Sequence, residues 1–509
     1  QQDARHAQAA GMTYTPMTPS GTPSGRSRGH MFWCRRASLW TLALVLLGVA
    51  PATARAHGSL KSSAPAADAT LTVVPRELRL VFTEAPALAF GRLELLSASG
   101  TAVALSPLRI AADSRRALVA DILGIVTAGS YTVVWQMAGD DGHPVRGRYT
   151  FTVAAGAQSA TPTQTSPGTP SPTPSAQPET HHDPESMPQG ATFGAESPAY
   201  VAIRALLYLG LLMAIGAVAF QGAVLRLLQR RRGAGNPMLA SARHGAARLG
   251  MLGAVLVGVA ALLRLGAQSY AMHPPGATFD PQLVRAMLTE TVWGRGWLLQ
   301  VVGTLVAAAG FRAAIRSAGG WGLATVGVLA LAITPALSGH AAATPDQAGL
   351  AIIADTLHVI GAGGWLGSLL AVLAAGLPAA MRLPDEERDG AVAGLFNAFS
   401  PTALLFAGIV AATGVFAAWL HMTELSALWQ SGYGRTLLVK LVILSVVAGT
   451  GAYNWLRVKP KLGTVAGTTR MRASARVELL VGILILIVTA VLVATPTPMD
   501  MQGMDMSGM

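Results

Sequence analysis

Two ionisable residues stand inside a long apolar stretch of the sequence. Asp355 and His358 are three positions apart, so a helix presents them on one face. Ionisable groups are costly to place in hydrocarbon, and they usually face a bundle interior or a cavity, where they are functional candidates. The alternative is a histidine that packs between helices and is hydrogen-bonded to a neighbour. The positions of the other histidines bear on this choice.

Eight apolar segments surround and include this pair. Each is close to the 20 or so residues that cross a bilayer. They cover residues 199–225, 246–270, 296–314, 320–339, 349–378, 396–420, 435–456 and 474–495. Only 12% of the 509 residues are charged, against roughly 25% in soluble domains. Residues 197–495 are therefore predicted to form an all-α bundle of eight transmembrane helices.

The formal charge of +12 comes mainly from Lys and Arg between the apolar segments. Residues 226–248 hold six Arg, and residues 457–476 hold six Lys plus Arg. The positive-inside rule places both segments in the cytosol, so the N-terminal region and the C-terminus lie outside. This distribution argues against nucleic-acid binding. A multi-pass protein of the bacterial plasma membrane is expected.

Residues 31–56 have the parts of a secretory signal peptide: two arginines, an apolar core and the cleavage site Ala54-Arg55-Ala56. Cleavage there makes His57 the N-terminus. Residues 1–30 are interpreted as a non-native or disordered extension. The single cysteine, Cys34, lies in the leader, so disulfides and thiolate chemistry are excluded from the processed protein.

Residues 57–153 have a different pattern, with short alternating runs separated by Pro, Gly, Asp and Ser. The runs are residues 71–74, 77–82, 92–96, 117–122, 131–136 and 148–153. About seven strands in a hundred residues predict an all-β Greek-key sandwich, of the Ig-like or cupredoxin-like kind. Residues 154–196, rich in Thr, Pro and Ser, are predicted to be a disordered linker.

Three segments of this predicted sandwich resemble the CopC family of periplasmic copper-binding proteins: HGSLKSSAPAAD from residue 57, LRLVFTEAP from residue 78, and VVWQMAGDDGHPVRGRYTFTV from residue 133. The resemblance implies that Cu(II) is bound by His57, Asp141 and His143, with Glu84 as an additional candidate. An amine with its own imidazole, a second imidazole and a carboxylate form the tetragonal N,O set that Cu(II) prefers. The alternative, that Asp141 and His143 only shape a turn, stays open.

Four of the five histidines of the membrane part are predicted to lie on one side, near the outer face. His244 lies in a cytosolic segment, and the rest lie near the outer face, two of them beside a methionine. Imidazole and thioether ligands suit copper in both oxidation states. The predicted transport path comprises His340, Asp355, His358, His273, Met272, His421 and Met422.

Four segments of the membrane part are similar to the CopD family of inner-membrane copper-resistance and copper-uptake proteins. They are D-x-x-H-x-x-x-x-x-x-W-x-G from residue 355, FSPTAL from 399, YGRTLLVKL from 433 and GAYNWL from 451. The resemblance implies copper movement across the membrane. Lys440, Asn454 and Glu478 are interpreted either as structural contacts of the bundle or as a deeper part of the path.

The C-terminal residues 496–509 form a predicted extracytosolic tail with five methionines, a soft ligand set that selects Cu(I). They are Met499, Met501, Met504, Met506 and Met509. An unstructured tail whose methionine content is incidental is the alternative.

The sequence thus predicts a non-enzymatic protein that captures Cu(II) outside the membrane and moves copper across it, with import and export both open. An extracytosolic copper chaperone or reductase is an expected partner. No nucleotide-binding G-x-x-x-x-G-K-[ST] motif is evident, which argues against ATP-driven pumping. Two rival classes remain: a haem-binding electron-transfer membrane protein, and a copper sensor or scaffold that does not transport.

Overall fold

The computed structural model describes residues 60–83, 85–138, 144–158, 197–232, 236–273, 279–337, 348–422 and 424–495. All of these residues belong to one compact unit, Thr53–Met509. They form a β-sandwich followed by a helical domain, as the sequence predicts.

The sandwich is built from two sheets. One sheet has the strand order β1-β3-β7-β6 and the other has the order β2-β9-β8-β4-β5. Strand β2 runs parallel to β9, whereas the remaining pairs are antiparallel. The strands are β1 Leu60–Ala64, β2 Thr70–Val73, β3 Glu77–Phe82, β4 Arg92–Ser97, β5 Ala102–Val103, β6 Arg109–Ala111, β7 Ser114–Asp121, β8 Gly129–Ala138 and β9 Pro144–Gln158.

The core of the sandwich follows from period-two patterning of its strands. In β3, Leu78, Leu80 and Phe82 are buried and alternate with more exposed residues. Phe82 meets Trp135 of β8 edge-to-face, with ring centroids 5.3 Å apart. Burying one such large side chain contributes about 1.5–3 kcal/mol. Tyr131 donates its hydroxyl proton to the Thr127 carbonyl (3.0 Å), so its polar end is satisfied.

Eight helices in the described part of the chain are long and apolar enough to cross a membrane, which confirms the predicted number. They are named span 1 to span 8 in chain order. They comprise Pro198–Arg231, Pro237–Met272, Val292–Ala314, Gly320–Leu337, Gly349–Ala380, Asp385–Leu420, Gly432–Lys461 and Ala466–Leu492. A further helix, Pro281–Glu290, connects spans 2 and 3.

Span 5, which carries Asp355 and His358, lies at the centre of the bundle. In its most apolar 18-residue window 61% of the residues are buried, against 11% in span 7. Glycines allow span 5 to pack closely at the centre of the bundle, because small residues allow helix backbones to approach closely. A Cβ at Gly367 would lie 2.1 Å from the carbonyl oxygen of Leu212 in span 1. The same segment of span 5, Gly363–Gly367, is a π-helical turn, a feature that often marks functional sites.

Candidate functional site

The end of strand β8 is covered on both faces. Its burial alternates from Tyr131 onward, but Trp135, Gln136, Met137 and Ala138 are all buried. The second face is covered by the helical domain. Continuous burial at this end of the strand therefore marks a docking surface between the sandwich and the membrane spans.

The apolar part of this docking surface is a cluster of buried side chains from both domains. Phe90 and Ala138 of the sandwich belong to one cluster with Met272, Trp293 and Trp297 of the membrane domain. Large aromatic side chains provide most of the buried area in such contacts. The end of span 2 and the start of span 3 thus receive the sandwich, and this end of the bundle is called the sandwich side.

Two polar side chains of the sandwich bind the last turn of span 2. Arg146 of β9 donates from Nη2 to the carbonyl oxygens of Ala271 (3.1 Å) and His273 (3.0 Å). The same guanidinium donates from Nε to Gln136 Oε1 (2.8 Å), and Gln136 Nε2 donates to the Met272 carbonyl (3.3 Å). Carbonyls at a helix C-terminus lack intrahelical donors and favour a cation. Arg146 therefore caps span 2 from the other domain.

The electrostatic environment of Arg146 fits this role. Partial desolvation of the guanidinium, followed by the positive charge of Arg92, lowers the pKa of Arg146 from its ordinary value, although the residue as a whole is exposed. The group stays protonated at neutral pH because an arginine is effectively never deprotonated in a protein. A partly desolvated guanidinium forms stronger hydrogen bonds than one in bulk water.

His273, at the end of span 2, uses both ring nitrogens. Asp280 N–H donates to His273 Nε2 (2.8 Å), which fixes the proton on Nδ1, and Nδ1 donates to the Ser269 carbonyl (2.7 Å). The ring also stacks on Phe279, with centroids 5.6 Å apart. A copper ion that binds His273 must displace one of these hydrogen bonds.

Met272, the neighbour of His273 in the predicted path, is 1% exposed inside the docking cluster. Its thioether packs against apolar side chains in this conformation. The structure thus gives this pair positions in the docking surface, which sequence spacing alone did not indicate.

Asp355 and His358 are half-buried in span 5. His358 Nδ1 lies 2.9 Å from Thr413 Oγ1 of span 6. Thr413 donates its single hydroxyl proton to the Ile409 carbonyl, which lies 2.7 Å away. The hydroxyl therefore accepts from Nδ1–H, and a neutral His358 ring keeps its lone pair on Nε2. Fixing the tautomer of a metal-binding imidazole through its other nitrogen is a common arrangement.

Lys440 of span 7 accompanies this pair. Its ammonium interacts electrostatically with both Asp355 and His358. Six residues separate Asp355 from the start of span 5, and eight separate Lys440 from the start of span 7, roughly 9 and 12 Å along a helix. Both helices start on the sandwich side, so the two opposite charges lie at similar depth. Within the described residues the two groups form no salt bridge within 4 Å, but opposite charges near each other still reduce the cost of ionisable groups in hydrocarbon.

Polar groups of spans 1 and 2 extend the cluster. Tyr208 of span 1 interacts electrostatically with Asp355 and with Arg264 of span 2. Arg264 is buried, donates to Gln300 Oε1 (2.8 Å) and lies 5.6 Å from the Trp293 ring. Trp293 belongs to the docking cluster. The half of the bundle nearest the sandwich thus contains polar groups from the docking surface down to Asp355 and His358.

Comparison with known proteins identifies both domains. A family model described as CopC domain matches residues 60–154. Models described as copper resistance protein D-like, N-terminal domain, and copper resistance protein D match residues 195–350 and 393–492. Copper resistance protein C of Escherichia coli is 33% identical over 115 residues, which are 21% of this chain and 90% of that protein. The chain is a fusion of a CopC-family domain and a CopD-family membrane domain.

A longer relative agrees with this assignment, and a solved structure is similar in sequence to the first domain. The copper transport protein CutJ of Bacillus subtilis (strain 168) is 25% identical over 476 residues, or 91% of this chain and 79% of that protein. The crystal structure of PcoC, a methionine-rich copper resistance protein from Escherichia coli, is 34% identical and covers 19% of this chain and 99% of that one, with a TM-score of 0.18. The family models and the full-length relative together identify a copper-related membrane protein.

Several predicted ligands lie outside the described residues. In the CopC domain they are His57, Glu84, Asp141 and His143, and in the remainder they are His340, Met499, Met501, Met504, Met506 and Met509. His421 ends a helix and Met422 after it is half-buried. Within the described ranges no group of three or more His, Cys, Asp or Glu side chains is placed to hold a metal ion. The candidate ligands of the CopC site stay predictions.

Sequence reasoning missed the residues that support the site. In the sequence, Arg146 and Gln136 stand out only as members of a family segment, and Thr413 belongs to no motif. One signal was present for the docking surface: residues 133–138, VVWQMA, lack the alternation expected of a strand with one exposed face. No comparable signal marks Thr413, because a threonine in an apolar helix usually bonds only to its own backbone.

Proposed function

We propose that the CopC domain captures Cu(II) outside the membrane and that the CopD domain moves copper across it. His57, Asp141 and His143 would hold Cu(II), with Glu84 as an additional ligand. The observation that carries the proposal is the docking of β8 and β9 on the end of span 2. These two strands flank residues 139–143, and Ala138 pairs directly with Pro144. The segment proposed to bind Cu(II) thus lies in the chain between two strands that are held against the membrane domain.

Copper then passes into the polar half of the bundle. There His358 is the candidate ligand whose ring orientation is fixed by a hydrogen bond and whose second nitrogen is left for a metal. Its Nε2 lone pair is available to a soft or borderline metal. Asp355 adds negative charge, and Lys440 balances that charge when no metal is bound. A monovalent or divalent copper ion that approaches Asp355 competes with the Lys440 ammonium, so binding is weak enough to allow release.

The orientation follows from the basic residues at the ends of the bundle that face away from the sandwich. Arg226, Arg230 and Arg231 lie at the end of span 1, and Arg457 and Lys461 lie at the end of span 7. The positive-inside rule places this face in the cytosol. The CopC domain and the methionine tail would then be extracytosolic, and the tail would collect Cu(I), supplied by a chaperone or a reductase, for the same path.

The proposal is tested with the full chain reconstituted in vesicles. We expect His358→Ala to lower copper transport at least about tenfold through loss of a ligand, while the Cu(II) site proposed in the CopC domain keeps its affinity in titrations of the purified full-length protein. His244→Ala, in the segment assigned to the cytosol, is the matched control and should transport normally. Equal losses in both variants, or normal transport by His358→Ala, would remove His358 from the path.

A further inference from the structure

A cavity of about 350 Å³ opens between spans 7 and 8 on the face opposite the sandwich. It is lined by Tyr453, Arg457, Val458, Lys461, Gly467 and Arg470. Its volume is within the range of pockets that bind small ligands. The copper path proposed above does not use it, and three cations in one cavity would repel a copper ion.

The three cationic side chains have no acidic partner in the described structure. Arg457, Lys461 and Arg470 are exposed and form no ion pair there within salt-bridge distance. Asp389 of span 6 reaches the same end of span 8, but it accepts a hydrogen bond from Thr468 (2.9 Å). Uncompensated positive charge concentrated in a concave site attracts anions. Two guanidinium groups also match the oxygen geometry of a phosphate.

The surface beside the cavity is apolar and lies on membrane-spanning helices. Tyr453, Trp455 and Leu456 are 55%, 50% and 69% exposed, respectively. The Lys459 ammonium lies 3.5 Å from the centroid of the Trp455 ring, and Trp, Tyr and Lys are typical anchors at the depth of lipid headgroups. An anion with acyl chains can therefore use both surfaces, whereas a free phosphate uses only the cavity.

One wall of the cavity is formed by an irregular helical turn. Asn454–Val458 is a π-helical turn, and it places Arg457 and Val458 in the cavity wall with Tyr453. Asn454 at its start is held by a hydrogen bond from Nδ2 to Glu478 Oε1 (2.6 Å). Such turns are rare and are frequently found at functional sites.

We propose that this cavity binds the phosphate headgroup of an anionic phospholipid, with the acyl chains along Tyr453, Trp455 and Leu456. Basic pockets between transmembrane helices on the cytoplasmic side are suited to such headgroups. The bound lipid would add a second link between the ends of spans 7 and 8, which the hydrogen bond between Asn454 and Glu478 already joins. The proposal does not depend on copper transport.

The test is native mass spectrometry of the purified full-length protein in an equimolar mixture of phosphatidylglycerol and phosphatidylcholine. We expect the wild-type protein to retain phosphatidylglycerol in preference. The variant R457Q/K461Q/R470Q should retain about tenfold less, because charge-assisted hydrogen bonds to the phosphate are lost. The charge-matched control R231Q/R472Q/R476Q changes three cations on the same side of the bundle that neither line the cavity nor contact Trp455, and it should behave like the wild type.

Two further measurements test the proposal. Equal retention of both lipids by the wild-type protein would overturn the lipid site, and this result does not depend on whether any variant folds. Equal loss in both triple variants overturns the assignment to this cavity. Inorganic phosphate at millimolar concentration should not displace the lipid; displacement would identify a site for a soluble anion and overturn the lipid.

Discussion

Replacing Thr413 by Val tests whether the tautomer of His358 matters for copper transport. The change keeps the shape of the side chain and removes the acceptor that lies 2.9 Å from His358 Nδ1. Loss of this hydrogen bond to the half-buried His358 ring costs at most about 1–3 kcal/mol, which is at most roughly 5–150-fold in an equilibrium constant. Removal of a group that orients a metal ligand typically lowers metal affinity or activity by about 10–100-fold. We therefore expect Thr413→Val to lower copper transport by about one to two orders of magnitude.

The assay is initial-rate copper transport in vesicles that contain equal amounts of protein. Thr413→Ser keeps the hydroxyl and should restore most of the rate. Thr402→Val is the matched control, because Thr402 is buried in the same span and, within the described part of the chain, its hydroxyl hydrogen-bonds to the Ala398 carbonyl (3.5 Å) of its own helix. Transport by Thr413→Val within about twofold of the wild type would refute the reasoning, as would an equal loss in Thr402→Val.

Three other outcomes are expected. Adding one residue before His57 should weaken Cu(II) binding by the full-length protein by at least about tenfold in a titration, because the terminal amine leaves its chelate position; unchanged affinity would exclude that ligand. Arg146→Ala removes two charge-assisted hydrogen bonds to span 2 and should weaken docking of the sandwich by about 0.5–1.5 kcal/mol, since Arg146 is exposed. Hydrogen exchange at the end of span 2 should then accelerate, whereas Arg148→Ala, an exposed neighbour on β9, should leave it unchanged. Gly367→Ala should lower the thermal unfolding midpoint because its Cβ would lie 2.1 Å from a backbone oxygen of span 1; Gly408→Ala meets nothing within 4 Å and should be neutral or stabilising.

The two-domain architecture could be predicted from the sequence because its signals are local. Eight apolar segments of membrane-spanning length are recognised from composition alone, and the structure has eight such helices. The helices are longer than the apolar segments: span 6 begins at Asp385, against a predicted start at residue 396. Helical hydrogen bonding continues beyond the hydrocarbon into residues such as Glu386 and Glu387, whose polarity conceals the true end. Period-two alternation likewise predicts strand β3 with its exact bounds, Glu77–Phe82.

The candidate site could be predicted only in part. The spacing of Asp355 and His358 places them on one helix face. Their position inside a long apolar segment indicates a functional or structural role, because ionisable groups are costly there. Which groups meet them is a property of helix packing. Thr413 is 55 residues from His358, and no local pattern connects the two.

What the sequence determined by itself, then, is the set of elements, because helix and strand periodicity and bilayer length are encoded over short stretches of chain. The family segments added the chemistry of copper. Tertiary structure alone decided that Arg146 caps span 2, that both nitrogens of His273 are engaged, and that Lys440 lies close enough to Asp355 for their charges to interact. These facts depend on contacts between residues far apart in the chain, whose energies are set by packing geometry and by the local dielectric environment.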